Sequence, residues 1–267
     1  MQSKLQTYSQ LANQASKQLT QSREQWTAFL DTASRLYKYP YPEQLMIYAQ
    51  RPDARACAPM ETWNKPMNRW VRRGSKGIAL IDTTGEKPRL RYVFDYEDTE
   101  PGRRESRRPF LRALKNEHEP AVMEALATAY DCEAQGDLDT ILFRIAEQLS
   151  DDYYSEHRRD IEYSARDSYL QDFDAHNIGV SYRAALTTSL AYSLLSRCGF
   201  DANDYLDAED FMPVFDFSSR DSLTALGTGV SELSEQVLRE IEVAIKRYLR
   251  NITIETATSI MSHSIKR

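Results

Sequence analysis

The chain has 267 residues, 41% hydrophobic and 28% charged, with only 9 glycines and 10 prolines. That balance predicts a folded, helix-rich protein and excludes a disordered or collagen-like chain. No apolar run approaches the roughly 18 residues of a membrane span, and the N-terminus lacks the apolar stretch of a signal peptide, so no membrane partner is expected.

Residues 3–34 predict one long helix. Leu5, Tyr8, Leu11, Ala12, Ala15 and Leu19 recur at spacings of three and four, and Trp26, Phe29, Leu30, Ala33 and Tyr37 continue the stripe. Pro40 and Pro42 end it, because each proline drives its predecessor out of the helical region. A short helix over 43–50 follows, closed by Arg51-Pro52. Residues 63–73 predict a short helix or turn leading into a strand, punctuated by Gly74 and Gly77. Ile78, Leu80 and Ile81 mark a buried strand over 77–82, and 83–88 a turn. Along 89–96, Leu90, Tyr92 and Phe94 alternate with Arg89, Arg91 and Asp95, a period-two pattern broken only by Val93. Residues 98–108 have no period and predict a mobile, basic loop. Helices return over 120–130, 138–169, 180–198 and 221–250. Ser218 and Ser219 are N-cap candidates for the last, and Lys246, Arg247 and Arg250 suit its C-terminus. The expected fold class is α+β, predominantly helical: a long N-terminal helix, a small antiparallel sheet and a C-terminal helical domain.

The net charge of −6 conceals an asymmetry. Residues 35–115 hold 18 Lys/Arg against 10 Asp/Glu, whereas 116–267 hold 13 against 28. Charge and period change together near 116. The expected division is therefore a nucleic-acid-binding domain with its N-terminal helix over 1–115 and an acidic helical domain over 116–267.

Single-stranded nucleic acid is gripped by cations for its phosphates and flat rings for its unstacked bases. Residues 37–112 interleave the two. The densest piece, Asn68-Arg-Trp-Val-Arg-Arg-Gly-Ser-Lys-Gly77, sets four cations around one tryptophan beside two glycines. Arg69, Arg72, Arg73 and Lys76, with Arg103, Arg104, Arg107 and Arg108 of the basic loop, are the expected phosphate contacts. Trp70, Tyr39 and Tyr41 are the expected stacking rings, while Trp63, Tyr48 and the strand aromatics read as core.

The residues Tyr39-Pro-Tyr-Pro-Glu-Gln-Leu-Met-Ile-Tyr-Ala-Gln-Arg-Pro-Asp-Ala54, Glu61-Thr-Trp-Asn-Lys65 and Arg69-Trp-Val-Arg-Arg-Gly-Ser-Lys-Gly-Ile78 resemble the N-terminal single-stranded-DNA-binding domain of ArdC-like antirestriction proteins. They are more similar still to the N-terminal region of very large helicase/adenine-methyltransferase proteins of Gram-positive conjugative elements. That resemblance continues through Asn177-Ile-Gly-Val180, Ser196-Arg-Cys-Gly199, Phe211-Met-Pro-Val-Phe-Asp216 and Ala225-Leu-Gly227. It implies a DNA-binding module of a mobile element. The chain departs from both families in their catalytic parts. His118-Glu119 is followed by Pro120 and no second histidine, so the metalloprotease motif is missing. Phosphate-loop, helicase and methylase signatures are missing as well. The chain reads as either a fragment or a free-standing derivative.

A non-catalytic module without cofactor or metal is therefore expected. Asp151, Asp152, Glu156, His157 and Asp160 lie at near-helical spacing, but a solvated acidic face accounts for them better than a metal site. Cys57, Cys132 and Cys198 are too dispersed for disulfides or a metal knuckle and suit a reducing cytoplasm. A rival expectation is an inhibitor of a host defence nuclease, its acidic half competing for basic, DNA-gripping surfaces.

Overall fold

The computed structural model describes residues 3–103, 105–109, 114–132 and 135–264. Helices dominate it and its strands are confined to residues 57–101, so the fold is predominantly helical α+β. The N-terminal region is two helices rather than one, α1 (Lys4–Leu19) and α2 (Arg23–Arg35). The polar run Thr20-Gln21-Ser22 makes the break. Ser22 leaves the helical region (φ −159°, ψ 161°), and its hydroxyl accepts the Gln25 N–H as the N-cap of α2. The apolar stripe survives the break because both helices face one core, where Ala15 and Leu19 meet Trp26, Phe29 and Leu30. Next comes α3 (Tyr41–Gln50), with Pro42 in its first turn.

Two small antiparallel sheets stand where one was expected. The first joins β1 (Cys57–Ala58), β3 (Ile78–Asp82) and β4 (Arg89–Asp95) in the order β1-β4-β3. The second pairs β2 (Arg69–Val71), which follows the short helix α4 (Met60–Asn64), with β5 (Thr99–Pro101). Strand β5 falls in the segment expected to be loop. Three residues carry no readable period, and the strand exists through its non-local pairing with β2.

The inner face of β4 is the reverse of what alternation suggested. Val93 and Asp95 are buried, while Tyr92 is 43% exposed. Val93 joins Ile78, Leu80, Met46 and Ile47 in a small core between sheet and α3. Arg91, on the same side, pairs with Glu43 of α3 at 2.6 Å. A salt bridge and a hydrogen-bonded carboxylate thus occupy the face that polarity alone assigns to solvent.

Beyond residue 116 the chain forms α5 (Glu119–Tyr130), α6 (Leu138–Ser164), α7 (Ala175–Cys198), the short α8 (Met212–Asp216) and α9 (Arg220–Ser264). The Asp174 carboxylate accepts the Asn177 N–H, so α7 starts before the expected 180. Ser219 accepts the Ser222 N–H at the start of α9, which continues past the expected end at 250. The principal core draws on both sides of residue 116. Trp26, Phe29, Tyr41 and Leu45 pack with Leu126, Ile145, Tyr182, Leu190, Phe217 and Val237. The Trp26 indole donates to Ser189 of α7 at 3.0 Å, so even the polar atom of this buried ring is satisfied. Among the described residues, no helix is long and apolar enough to cross a membrane.

Candidate nucleic-acid interface

The second sheet presents the densest ring-and-cation piece. In β2 the side chains alternate. Arg69 is buried, Trp70 is 52% exposed, and Val71 is half-buried. Pairing with β5 fixes the strand, with Arg69 opposite Pro101, Trp70 opposite Glu100 and Val71 opposite Thr99. The ladder extends at both ends: the Arg72 N–H donates to Asp98 O at 2.8 Å, and the Gly102 N–H to Asn68 O, also at 2.8 Å.

Beyond β2 the chain turns sharply, and the Ser75 N–H donates back to Arg72 O at 3.1 Å. Gly74 makes this possible with φ +90°, a conformation that L side chains rarely adopt. The turn leaves Arg72, Arg73 and Lys76 exposed. At the other end, Gly102 passes so close to Asn68 that an added Cβ would sit 2.6 Å from its amide oxygen. The Arg107 N–H then donates to Met67 O at 2.9 Å, and the Asn68 amide donates to Glu105 O at 3.2 Å. The basic loop is thereby laid along the start of β2, with Arg103, Arg107 and Arg108 exposed.

Comparison with protein-family models, curated proteins and solved structures finds no match.

Seven of the eleven expected contact residues come together around this sheet: Trp70, Arg72, Arg73, Lys76, Arg103, Arg107 and Arg108. Arg104 lies outside the described residues. Three others are placed elsewhere. The Arg69 guanidinium is buried, donates to the Thr99 hydroxyl at 2.8 Å and to Thr99 O at 3.2 Å, and lies 4.3 Å over the Tyr96 ring. It holds the two strands together and does not reach solvent. Tyr41 is 3% exposed, its ring edge-on to Phe29, so it is a core residue and not a base platform. Tyr39 is half-buried and donates its hydroxyl to Cys57 O at 2.7 Å. Both tyrosines sit where the chain bends into α3; Tyr41 is buried in the principal core, and Tyr39 packs partly against the smaller one.

The remaining cations of the basic segment divide sharply. Arg51 pairs with Asp98 at 2.5 Å and approaches Asp95 and Asp53; Arg55 pairs with Glu97, Arg89 with Asp82, Arg91 with Glu43, and Lys38 with Glu242. By contrast, Arg72, Arg73, Lys76, Arg103, Arg107 and Arg108 make no ion pair among the described residues. Of these, Arg72 alone makes a side-chain hydrogen bond among the described residues, donating to the backbone oxygen of Glu97. Glu100 and Glu105 are the carboxylates nearest Arg103, Arg107 and Arg108 in the chain. Asp95, wholly buried, accepts the backbone N–H groups of Arg55, Ala56 and Tyr96, tying β1 to the end of β4. Burial raises its pKa, against the pull of those three donors and Arg51.

Sequence reasoning missed β5 and, with it, Thr99, the anchor of Arg69. No local signal marks a strand of three residues. Two other candidates resolve simply. Burial pushes the Cys57 thiol well up, so it is not a poised nucleophile. Among the described residues, no group of three or more His, Cys, Asp or Glu side chains is arranged to hold a metal ion.

Proposed function

We propose that this chain is a non-catalytic module of a mobile genetic element that binds single-stranded DNA across the β2/β5 sheet. One observation carries the reading: an exposed tryptophan, Trp70, shares a surface with six exposed cations that form no ion pair among the described residues. A cation without a partner at the surface is available to a phosphate, and an exposed indole to the face of any base. The resemblance of residues 39–78 to ArdC-like DNA-binding domains supports the same assignment.

The test is a binding panel with single-stranded and duplex DNA. Single strands should bind better, with little sequence preference. Affinity should fall with salt at a log–log slope of about −0.7 per phosphate neutralised, or about −4 when all six cations engage. Arg72→Glu with Arg73→Glu should remove binding while shifting stability by less than about 0.5 kcal/mol. Binding that is indifferent to salt, or a double variant that binds normally, overturns the proposal.

A second reading has its own support. At the corner between α6 and α7, Tyr169 and Phe173 are exposed beside exposed Asp167, Asp172 and Asp174, while Tyr163 carries the Arg166 guanidinium over its ring at 4.5 Å. Rings set among carboxylates suit a basic protein surface, as a host defence nuclease would offer. Under this reading, Tyr169→Ala with Phe173→Ala reduces capture of such a nuclease and leaves DNA binding intact.

A further inference from the structure

A cleft of about 510 Å³ opens between α2, β1, α4 and α7, a volume in the range of small-ligand sites. Its walls combine two kinds of surface. Tyr39, Cys57, Trp63 and Met67 contribute rings and sulfur, and Arg35 and Arg55 contribute guanidinium groups. Arg35 is the informative one. Its Nε donates to Ala54 O at 2.9 Å, and its Nη2 donates to Pro52 O at 2.7 Å and to Thr32 Oγ1 at 3.2 Å. Its Nη1 makes no hydrogen bond, and no carboxylate pairs with it, among the described residues. Burial is the largest influence on this group and lowers its pKa. Asp31, Asp53 and Asp95 favour its charge without pairing with it, so its Nη1 remains open to an anion in the cleft. Arg55, at the mouth, pairs with Glu97 at 3.3 Å, but both side chains are exposed, so solvent screens the pair and a phosphate can compete for the guanidinium. The one acidic wall residue, Asp31, accepts the Ser196 hydroxyl at 2.8 Å.

The cleft also borders the proposed DNA face. Met67 lines it, and the carbonyl of Met67 accepts the Arg107 N–H that lays the basic loop along β2; Pro109, at the end of that loop, lines it too. We propose that the cleft seats one nucleotide of the bound strand, its base against Tyr39 and Met67 over the buried Trp63 and its phosphate between Arg35 and Arg55. The inference rests on the single-strand reading above and assigns it a base-accepting pocket distinct from the exposed Trp70 platform. A strand crossing β2/β5 would place one residue in the cleft while its neighbours stack and pair with cations outside. No bond is made or broken.

The experiment titrates the full chain with deoxythymidine monophosphate, deoxythymidine, inorganic phosphate and an oligodeoxythymidylate. Two variants accompany the wild type: Arg55→Glu, at an exposed position, and Met67→Trp, which fills the cleft. The expected result is saturable binding of the monophosphate, tighter than phosphate or nucleoside alone. Both variants lose it, and oligonucleotide affinity falls about ten-fold in each, the scale of one stacked base. Oligonucleotide binding without monophosphate binding, and unaffected by Met67→Trp, overturns the cleft and leaves the Trp70 face standing. Monophosphate binding without oligonucleotide binding overturns the claim that the occupant belongs to a strand. Phosphate binding as tightly as the monophosphate overturns a base-accepting seat. Failure of every ligand overturns both readings.

Discussion

Two tryptophans seven residues apart should respond oppositely to removal. Trp63 is 2% exposed, donates its indole N–H to Phe94 O at 2.9 Å and packs 6.2 Å from Tyr96. Trp63→Ala removes the hydrogen bond that bridges α4 to the end of β4 and opens a ring-sized void. Aromatic-to-alanine changes at such sites cost about 3–5 kcal/mol. Trp70 is 52% exposed, and its side chain makes no hydrogen bond or ring contact among the described residues. Its strand is held by backbone pairing and by Arg69 on the other face. Trp70→Ala should therefore shift stability by less than about 0.5 kcal/mol. If the ring stacks on a base, its removal costs about 1–3 kcal/mol of binding, roughly 5- to 150-fold in Kd. Urea unfolding and fluorescence anisotropy with a labelled single-stranded oligonucleotide measure the two effects on the same proteins. A Trp70→Ala protein that is as stable as wild type and binds the oligonucleotide equally well refutes the stacking role.

The Glu242 carboxyl is nearly buried, and burial alone would raise its pKa. Hydrogen bonds from Lys246, Lys38 and Tyr37 outweigh that and bring it from an ordinary 4.5 down to about 2. A depressed folded pKa gives stability that is complete above about 4.5 and lost as pH falls toward 2; it amounts to about 3 kcal/mol, and Glu242→Gln should flatten that part of a stability–pH curve. Asp95→Ala strips three backbone N–H groups and Arg51 of their shared acceptor and should destabilise by roughly 3–5 kcal/mol in urea unfolding. Gly227→Ala places a Cβ 2.3 Å from two ring carbons of Tyr41 and should cost about 1–3 kcal/mol by thermal unfolding; a neutral result would mean that Tyr41 is free to move out of the core.

The helices were legible because each carries its own evidence. The stripe from Ala15 to Tyr37, the proline at the start of α3 and the serines before α9 are local signals, and the structure uses each of them locally. The break at Ser22 was not legible, because the stripe reports which face is buried and is silent about whether the backbone runs straight through. Strand β5 and the inner face of β4 were not legible for a related reason. The partners that decide them, β2 and α3, lie far away in sequence.

The site was legible in composition but not in membership. Arginine at position 69 and arginine at position 72 look equivalent in the sequence, and both belong to the same cationic run. Strand alternation separates them. Position 69 points inward, where a guanidinium must find acceptors, and Thr99 with the Tyr96 ring supplies them. Position 72 lies past the end of the strand, on a turn that Gly74 bends outward. Of the three rings expected to stack, only Trp70 stands on an outward-facing strand position, while Tyr39 and Tyr41 sit in the bend that seats α3. Charge counting cannot make this distinction, since it weights a paired cation and a free one equally. The decisive quantity is the carboxylate left over at each position. Six of the ten acidic residues of 35–115 pair with Arg51, Arg55, Arg89 and Arg91, whereas the second sheet and its loop set six unpaired cations against Glu100 and Glu105.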